Sequence, residues 1–208
     1  MTTIACQFSN LSIQFGHRTL FSGVSASLPV ARHGLVAPNG HGKTLLLKIL
    51  SQTLLPTTGV VTWTRSFVPL CAALTGTRCR AVDVMGVAER YDAFVRLEKG
   101  EATDSDFSLL ENAWHLPDKW RAAIADAGLT IELADDVNKL SGGQRARLML
   151  CSVFMDAQQF ILLDEPSNHL DHSGRIWLQQ KIQQHTGGCL IASHDRSLLR
   201  SMDRILEL

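Results

Sequence analysis

An apolar run, Gly34 to Ala37, stops at Pro38-Asn39-Gly40-His41-Gly42 and passes at once into a leucine-dense segment, Lys43 to about Leu50. The first part reads as a buried strand, the middle as a turn and the last as a helix. A strand that enters a helix through a glycine-rich turn commits the chain to packing helices on a sheet. The alternation returns in the second half. Phe160 to Leu163 and Gly188 to Ala192 read as buried strands, with helices from about Gly174 to Gln184 and from Arg196 to Met202. Arg204 to Leu208 reads as a last strand. The expected fold class is α/β with a mainly parallel sheet, covered on both faces.

Two regions depart from that pattern. Ile4 to Phe15 reads as two short strands around a turn at Ser9 and Asn10, followed by strands at Ser25 to Leu28 and Val60 to Thr64. This predicts an antiparallel β part at the N-terminus. From about Ala81 to Leu129 apolar residues recur at helical spacing (Leu109, Leu110 and Ala113; Trp120, Ile124 and Ala127). With the helix that follows Ser141, they predict a helical subdomain over about residues 81–155, inserted into the α/β core. Trp114, Trp120 and Trp177 read as packing residues on helices. The 208 residues suffice for one domain of this design.

Composition excludes several classes. Hydrophobic residues make up 45%, which fits a globular core. Lys+Arg and Asp+Glu stand at 20 each, a balance that argues against a chain that coats nucleic acid. No apolar stretch approaches the roughly 20 residues of a membrane span, and the N-terminus lacks the pattern of a secretory leader. The five cysteines lack the spacing of a zinc knuckle or redox pair and read as reduced core thiols, as in a cytoplasmic protein.

The turn at Ala37 to Thr44 carries chemistry. Gly40 and Gly42 free backbone N–H groups to wrap a phosphate, with Asn39 and His41 in the same loop. Lys43 supplies positive charge for β- and γ-phosphates, Thr44 a hydroxyl for Mg²⁺, and the helix start through Leu45 faces the anion. The strict phosphate-loop pattern begins with glycine where Ala37 stands, the smallest departure available. His41 reads as a solvent-facing loop residue, with an added phosphate contact as the alternative. A second signal is Phe160-Ile161-Leu162-Leu163-Asp164-Glu165. A strand buried on both faces would deliver both carboxylates to its C-terminal edge, beside the phosphate loop. Asp164 would then hold the Mg²⁺ shell, and Glu165 would polarise the attacking water.

A third motif, Leu140-Ser141-Gly142-Gly143-Gln144, places a natural N-cap before two glycines at a helix start, able to donate to a phosphate. With it the sequence resembles the ATP-binding cassette family over nearly its whole length. The resemblance implies the P-loop nucleotide-binding fold of that family, with ATP as substrate and Mg²⁺ as cofactor. It implies that Ser141, Gly142, Gly143 and Gln144 face the phosphate loop of a second cassette, so that two ATPs are sandwiched between two domains. It further implies a catalytic role for Glu165, a switch role for His194 and stacking of adenine on Phe15. Asp171 closes Ser167-Asn168-His169-Leu170-Asp171, which matches the loop that crosses to the partner.

Glu-Pro-Ser-Asn-His-Leu-Asp and Ser-His-Asp-Arg-Ser-Leu-Leu resemble the ABC-F type, which carries two cassettes in one chain and often acts on the ribosome. This chain, with one set of motifs, is then expected to be the first half of a longer protein, its partner a second cassette of the same chain or a second copy. An ATPase subunit of a membrane transporter and an ATP-binding regulatory module are the competing readings. One residue departs from the family: Leu70 stands where a glutamine is expected after Phe67-Val68-Pro69. Leucine neither ligates Mg²⁺ nor orients water, which predicts slow hydrolysis.

Overall fold

The computed structural model describes residues 3–16, 18–38, 40–69 and 79–208. Its first strand, β1 (Ile4–Phe15), is continuous through Ser9 and Asn10, where a turn was expected. The reason is a phase slip. Cys6 and Phe8 are buried, then Leu11 and Ile13, so the inward face changes from even to odd numbers. Asn10 takes up the extra residue at φ 53°, and the register to the next strand shifts between Phe8 and Leu11. That is a β-bulge, which bends a strand without ending it. Gly59 lies opposite: a Cβ there would stand 2.5 Å from the carbonyl oxygens of both Ser9 and Asn10, so only glycine fits.

The hairpin partner β2 runs Arg18–Pro29, well beyond the expected four residues, and β4 (Thr58–Trp63) pairs along the other side of β1. The three form an antiparallel sheet in the order β2-β1-β4. A second sheet contains β3 (Arg32–Val36), β5 (Phe67–Pro69), β6 (Phe160–Asp164), β7 (Cys189–Ala192) and β8 (Arg204–Glu207), in the order β5-β6-β7-β3-β8. Every neighbouring pair in it is parallel. β7 is buried at all four positions, and β6 at all but its final Asp164. This explains why both read as unbroken apolar runs. Helix α1 (Lys43–Leu50) turns Leu46, Ile49 and Leu50 into a core shared with Phe8, Leu28, Leu35, Phe160 and Leu190.

The chain divides into two compact units. Met1–Leu70, Asp156–Asn168 and Arg175–Leu208 form a sheet unit; Cys71–Met155 and His169–Gly174 form a helical unit. The helical unit contains α2 (Ala81–Val84), α3 (Ala88–Glu98), α4 (Asp104–Leu110), α5 (Leu116–Asp126), a 3-10 turn (Val137–Lys139) and α6 (Gly142–Val153). Its core is built on Trp120, 1% exposed, with Phe94 edge-on at 6.2 Å. Trp114 lies at the margin of that core: it meets Phe94 edge-on at 6.1 Å but is 62% exposed and follows α4 in a turn, where a packed helical position was expected. Trp177 is buried, on α7 (His172–Gln184). The short helices are held by ion pairs. Arg80 bridges Asp83 at 3.1 Å and Asp92 at 2.6 Å, and Arg96 grips the buried Asp106. Arg96 and the Thr103 N–H hold the Asp106 carboxyl well below the usual carboxylate range.

Helix α8 (Arg196–Leu199) is shorter than expected and starts at an Asp195 cap that accepts from Ser197 N at 2.9 Å. Cys6, Cys79, Cys151 and Cys189 are buried free thiols. Burial pushes Cys6 and Cys189 up to about 12, so neither is a ready nucleophile. Among the described residues no helix is long and apolar enough to cross a membrane.

Candidate functional site

The sheet order sets the site. Three adjacent strands, β6, β7 and β3, end on one edge of the parallel sheet and release Asp164-Glu165, Ser193-His194 and the loop before Lys43. Ligands of open α/β sheets bind at such C-terminal strand edges. A cavity of about 550 Å³ lies there, lined by Gly40, Gly42, Lys43, Thr44, Leu45, Asp164, Glu165, Asn168 and His194. Gly42 is the N-cap of α1 at φ 93°, and a Cβ on it would press against the Phe21 ring at 3.0 Å. Glycine is required at that point for the loop to turn into the helix.

The charged side chains in this cavity answer one another. Lys43 is only 8% exposed. Its Nζ donates to the Ala37 carbonyl at 2.9 Å and contacts His194 Nε2 at 2.8 Å. An ammonium can only donate, so Nε2 is the acceptor and the ring proton sits on Nδ1 in this arrangement. Glu165 Oε1 lies 3.5 Å from the same Nε2, and Glu165 Oε2 accepts from the His194 N–H at 3.3 Å. The backbone of Glu165 is left-handed, at φ 46°, while its N–H donates to Ala192 O at 2.8 Å. A non-glycine residue held in that region is strained by roughly 1–3 kcal/mol, a cost often met where a side chain must be aimed.

The donor set suits a hydrated divalent ion. Thr44 and Asp164 offer one hydroxyl and one carboxylate to the same cavity. Among the described residues there is no cluster of three or more His, Cys, Asp or Glu able to cage a metal. Mg²⁺ is commonly held in this way, by one or two protein oxygens, water and substrate phosphates.

A second cavity, about 440 Å³, lies within the helical unit. Its lining includes Ser141, Gly143, Gln144, Arg147, His169 and Asp171. Ser141 and Gln144 form a reciprocal capping box: Gln144 N donates to Ser141 Oγ at 3.2 Å, and Ser141 N to Gln144 Oε1 at 2.9 Å. The close approach of the chain explains Gly143, since a Cβ there would stand 2.9 Å from the His169 carbonyl. The Asp171 carboxylate accepts from Gly174 N at 2.8 Å, from Ser173 Oγ and from Arg147. These bonds, the Gly174 N–H first, hold its pKa below the usual carboxylate value.

The expected site residues thus fall into two groups, each within one unit. Gly40, Gly42, Lys43, Thr44, Leu45, Asp164, Glu165 and His194 share the first cavity; Ser141, Gly143, Gln144 and Asp171 share the second. Gly142 is exposed at the start of α6, and His41 is exposed on its loop. Phe15 is 53% exposed at the end of β1, opposite Arg18 in the hairpin, and is not part of the first cavity's lining. Asn39 and Leu70 lie outside the described residues. Six lining residues lie outside the expected site set: Asn168 in the first cavity, and Gly128, Leu129, Arg147, His169 and Ser173 in the second. The spacing of Arg147 from Gln144 is the signal that would have found it.

A family model described as "ABC transporter" matches residues 22–168. The "Probable ATP-binding protein YheS" of Haemophilus influenzae is 32% identical over 206 residues, which cover 92% of this chain and 32% of that protein. The "Energy-dependent translational throttle protein EttA" of Mycobacterium tuberculosis is 32% identical over 215 residues, covering 93% of this chain and 38% of that one. A solved ATP-binding cassette of an ABC transporter, in its ADP conformation, shares the fold with a TM-score of 0.72. It is 17% identical, over 100% of this chain and 88% of that one. The chain spans roughly a third of the length of the curated relatives, 32% and 38% in these two cases.

Proposed function

The chain belongs to the ABC transporter family and is one ATP-binding cassette of it; from that premise we propose that it binds Mg–ATP in the Lys43 cavity and hydrolyses it when a second cassette closes over the γ-phosphate. The observation that carries this reading is the convergence of Lys43, Thr44, Asp164, Glu165 and His194 on one cavity. Each residue has a distinct task. Lys43 leaves its bonds to Ala37 and His194 and neutralises the β- and γ-phosphates. His194, released from Lys43, carries its ring proton on Nε2 in place of Nδ1 and donates to the terminal phosphate. Glu165 sits beside it and takes the proton of the attacking water. Thr44 and Asp164 would hold Mg²⁺, which when bound offsets phosphate charge. The partner cassette's counterpart of the Ser141 helix start supplies neutral donors from the opposite side. Phe15 and His41 would contact the base and the phosphates from the loop side.

The partner cassette is proposed to lie in the same full-length chain, with a second copy of this chain as the alternative. Support comes from the length of the relatives, of which the chain covers only 32% and 38%. The Asn168-His169-Leu170-Asp171 run and the translational throttle among those relatives favour an ABC-F type protein whose ATP cycle acts on the ribosome, in the cytoplasm. A transporter ATPase is the second reading, favoured by the likeness to a transporter's cassette.

The test is Glu165→Gln in the full-length protein. Turnover falls by about 10²–10⁴-fold, and the variant retains ATP and stays in the closed pair. Loss of turnover without ATP retention would refute the sandwich. Copurification with ribosomes and not with a membrane permease separates the two readings of the partner. Leu70→Gln, measured by single-turnover hydrolysis, raises the rate if the missing glutamine limits it, and an unchanged rate removes that idea.

A further inference from the structure

The Arg147 side chain is 13% exposed, although it stands one turn from the open start of α6. Among the described residues its bonds are all inside the helical unit. Nη1 donates to the Ala127 carbonyl at 3.0 Å, just past the end of α5. Nη2 donates to Ser173 Oγ at 2.5 Å and to the Asp171 carboxylate. The guanidinium lies between two glycines. A Cβ on Gly128 would stand 3.0 Å from Nη1, and one on Gly174 would stand 2.9 Å from Nε. Gly174 has no need of glycine's conformational freedom: it is a buried residue inside α7 without a left-handed φ. Space for Arg147 and for the Asp171 carboxylate, whose Oδ1 would stand 3.0 Å from a Cβ, is what the missing side chain of Gly174 provides.

We infer that Arg147 is a positioning residue for ATP hydrolysis, a latch that fixes the segment His169–Gly174 against the Ser141 helix start so that both meet the partner's nucleotide as one surface. This rests on the sandwich reading given above. The planar fork suits the task, since one guanidinium reaches a carbonyl, a carboxylate and a hydroxyl together. Asp171 is the matching half: the same carboxylate caps the first turn of α7 and receives Arg147. The Gly143 contact closes the arrangement, because it admits the His169 carbonyl against the helix start. With its donors turned into the wall, Arg147 leaves phosphate binding to the neutral groups of the helix start.

The experiment compares Arg147→Ala, Arg147→Lys and Gly174→Ala in the full-length protein, alone and on the Glu165→Gln background. Three quantities are read: kcat, the affinity for a fluorescent ATP analogue, and melting temperature. The analogue reports the Lys43 cavity, which lies in the other unit. Arg147→Ala lowers kcat by roughly 30-fold and shortens ATP retention, with analogue affinity within about twofold of wild type; misplacement of about an ångström is enough for an effect of this size. Arg147→Lys recovers only a minor part of the rate, because one ammonium does not span three acceptors. Gly174→Ala separates positioning from folding. Alanine is the better helix former, so the melting temperature holds, while its Cβ displaces the guanidinium and kcat falls about tenfold.

If Gly174→Ala and Arg147→Ala keep wild-type kcat while Glu165→Gln still traps ATP, the latch is wrong and the sandwich stands. Full recovery by lysine equally overturns it. If Glu165→Gln fails to trap ATP, the sandwich itself fails and takes the latch with it.

Discussion

In the Lys43 cavity the polar and charged groups contact one another directly; in the Ser141 cavity they are bonded into the wall. Lys43 is held by Ala37 and His194, and His194 in turn lies against Glu165. Each of those contacts has to be exchanged for one with substrate. Ser141 and Gln144 satisfy each other, and Arg147 is held by Ala127, Asp171 and Ser173. Nothing there needs to break before an anion arrives. One cavity is therefore set up to rearrange on binding, the other to remain as it is. Preorganised donors cost no reorganisation at the moment of reaction, which suits the second cavity to the transition state more than to initial capture.

The largest effect that would break this comparison is at Lys43. Lys43→Ala removes charge-assisted bonds to phosphate worth about 3 kcal/mol, so ATP affinity of the isolated cassette falls roughly a hundredfold. Equilibrium titration with a fluorescent ATP analogue reads it. A loss under about threefold would mean that capture does not depend on this cavity. Gly143→Ala is expected to act in the opposite way. Its Cβ meets the His169 carbonyl, so the helix start or the loop must shift. Analogue affinity stays within about twofold while turnover of the full-length protein drops about tenfold. A matching loss in both quantities would erase the distinction between the cavities.

The sequence displayed the two cavities unequally. The first is built from local signals, a strand–turn–helix and an apolar run ending in two carboxylates, and parallel pairing brings their ends together. Arg147 was harder to find because its partners are 20 to 26 residues away along the chain. Its spacing from Gln144 gives the helix face, but nothing local says which distant groups so long a side chain reaches. The continuity of β1 was hidden for a different reason: alternation that changes phase at Ser9-Asn10 looks like a chain break, although the backbone passes through a bulge. Trp114 misled because α4 ends at Leu110 and leaves it in a turn, with only an edge contact to Phe94 over a largely exposed ring.

A smaller effect sharpens the claim that the second cavity is preset. Ser141→Ala removes the cap of α6 and costs about 1 kcal/mol of stability, read as a shift in urea midpoint. Because the box fixes the helix start, turnover should fall with the same variant, and Ser141→Thr should restore both. A variant that lost turnover with an unchanged urea midpoint would show that Ser141 acts on the ligand alone.

The smallest effect concerns acid, and it divides the two units. In the sheet unit, burial pushes the pKa of His33 and of His185 down, so both are neutral when folded. His33 Nε2 donates to Pro29 O at 2.9 Å, which fixes the neutral tautomer. A folded pKa below the unfolded value near 6.5 means that the unfolded chain binds the proton more readily below that pH. The sheet unit therefore keeps this stability above pH 6.5 and loses it as pH falls toward the folded pKa. The helical unit carries the same sign in a lower pH window, as do Asp195 and Asp203 of the sheet unit. Asp83, Asp92, Asp106 and Asp171 have lowered values, so their contribution persists until pH falls below about 4. Between pH 6.5 and 4 the sheet unit weakens first. His33→Gln keeps a donor for Pro29 and removes the titration. Between pH 7.5 and 5.5 it should lose less stability than wild type, by at most about 1.4 kcal/mol, the value of one pH unit of differential protonation. Urea unfolding at the two pH values measures the difference, and equal losses in both proteins would place the acid sensitivity outside His33.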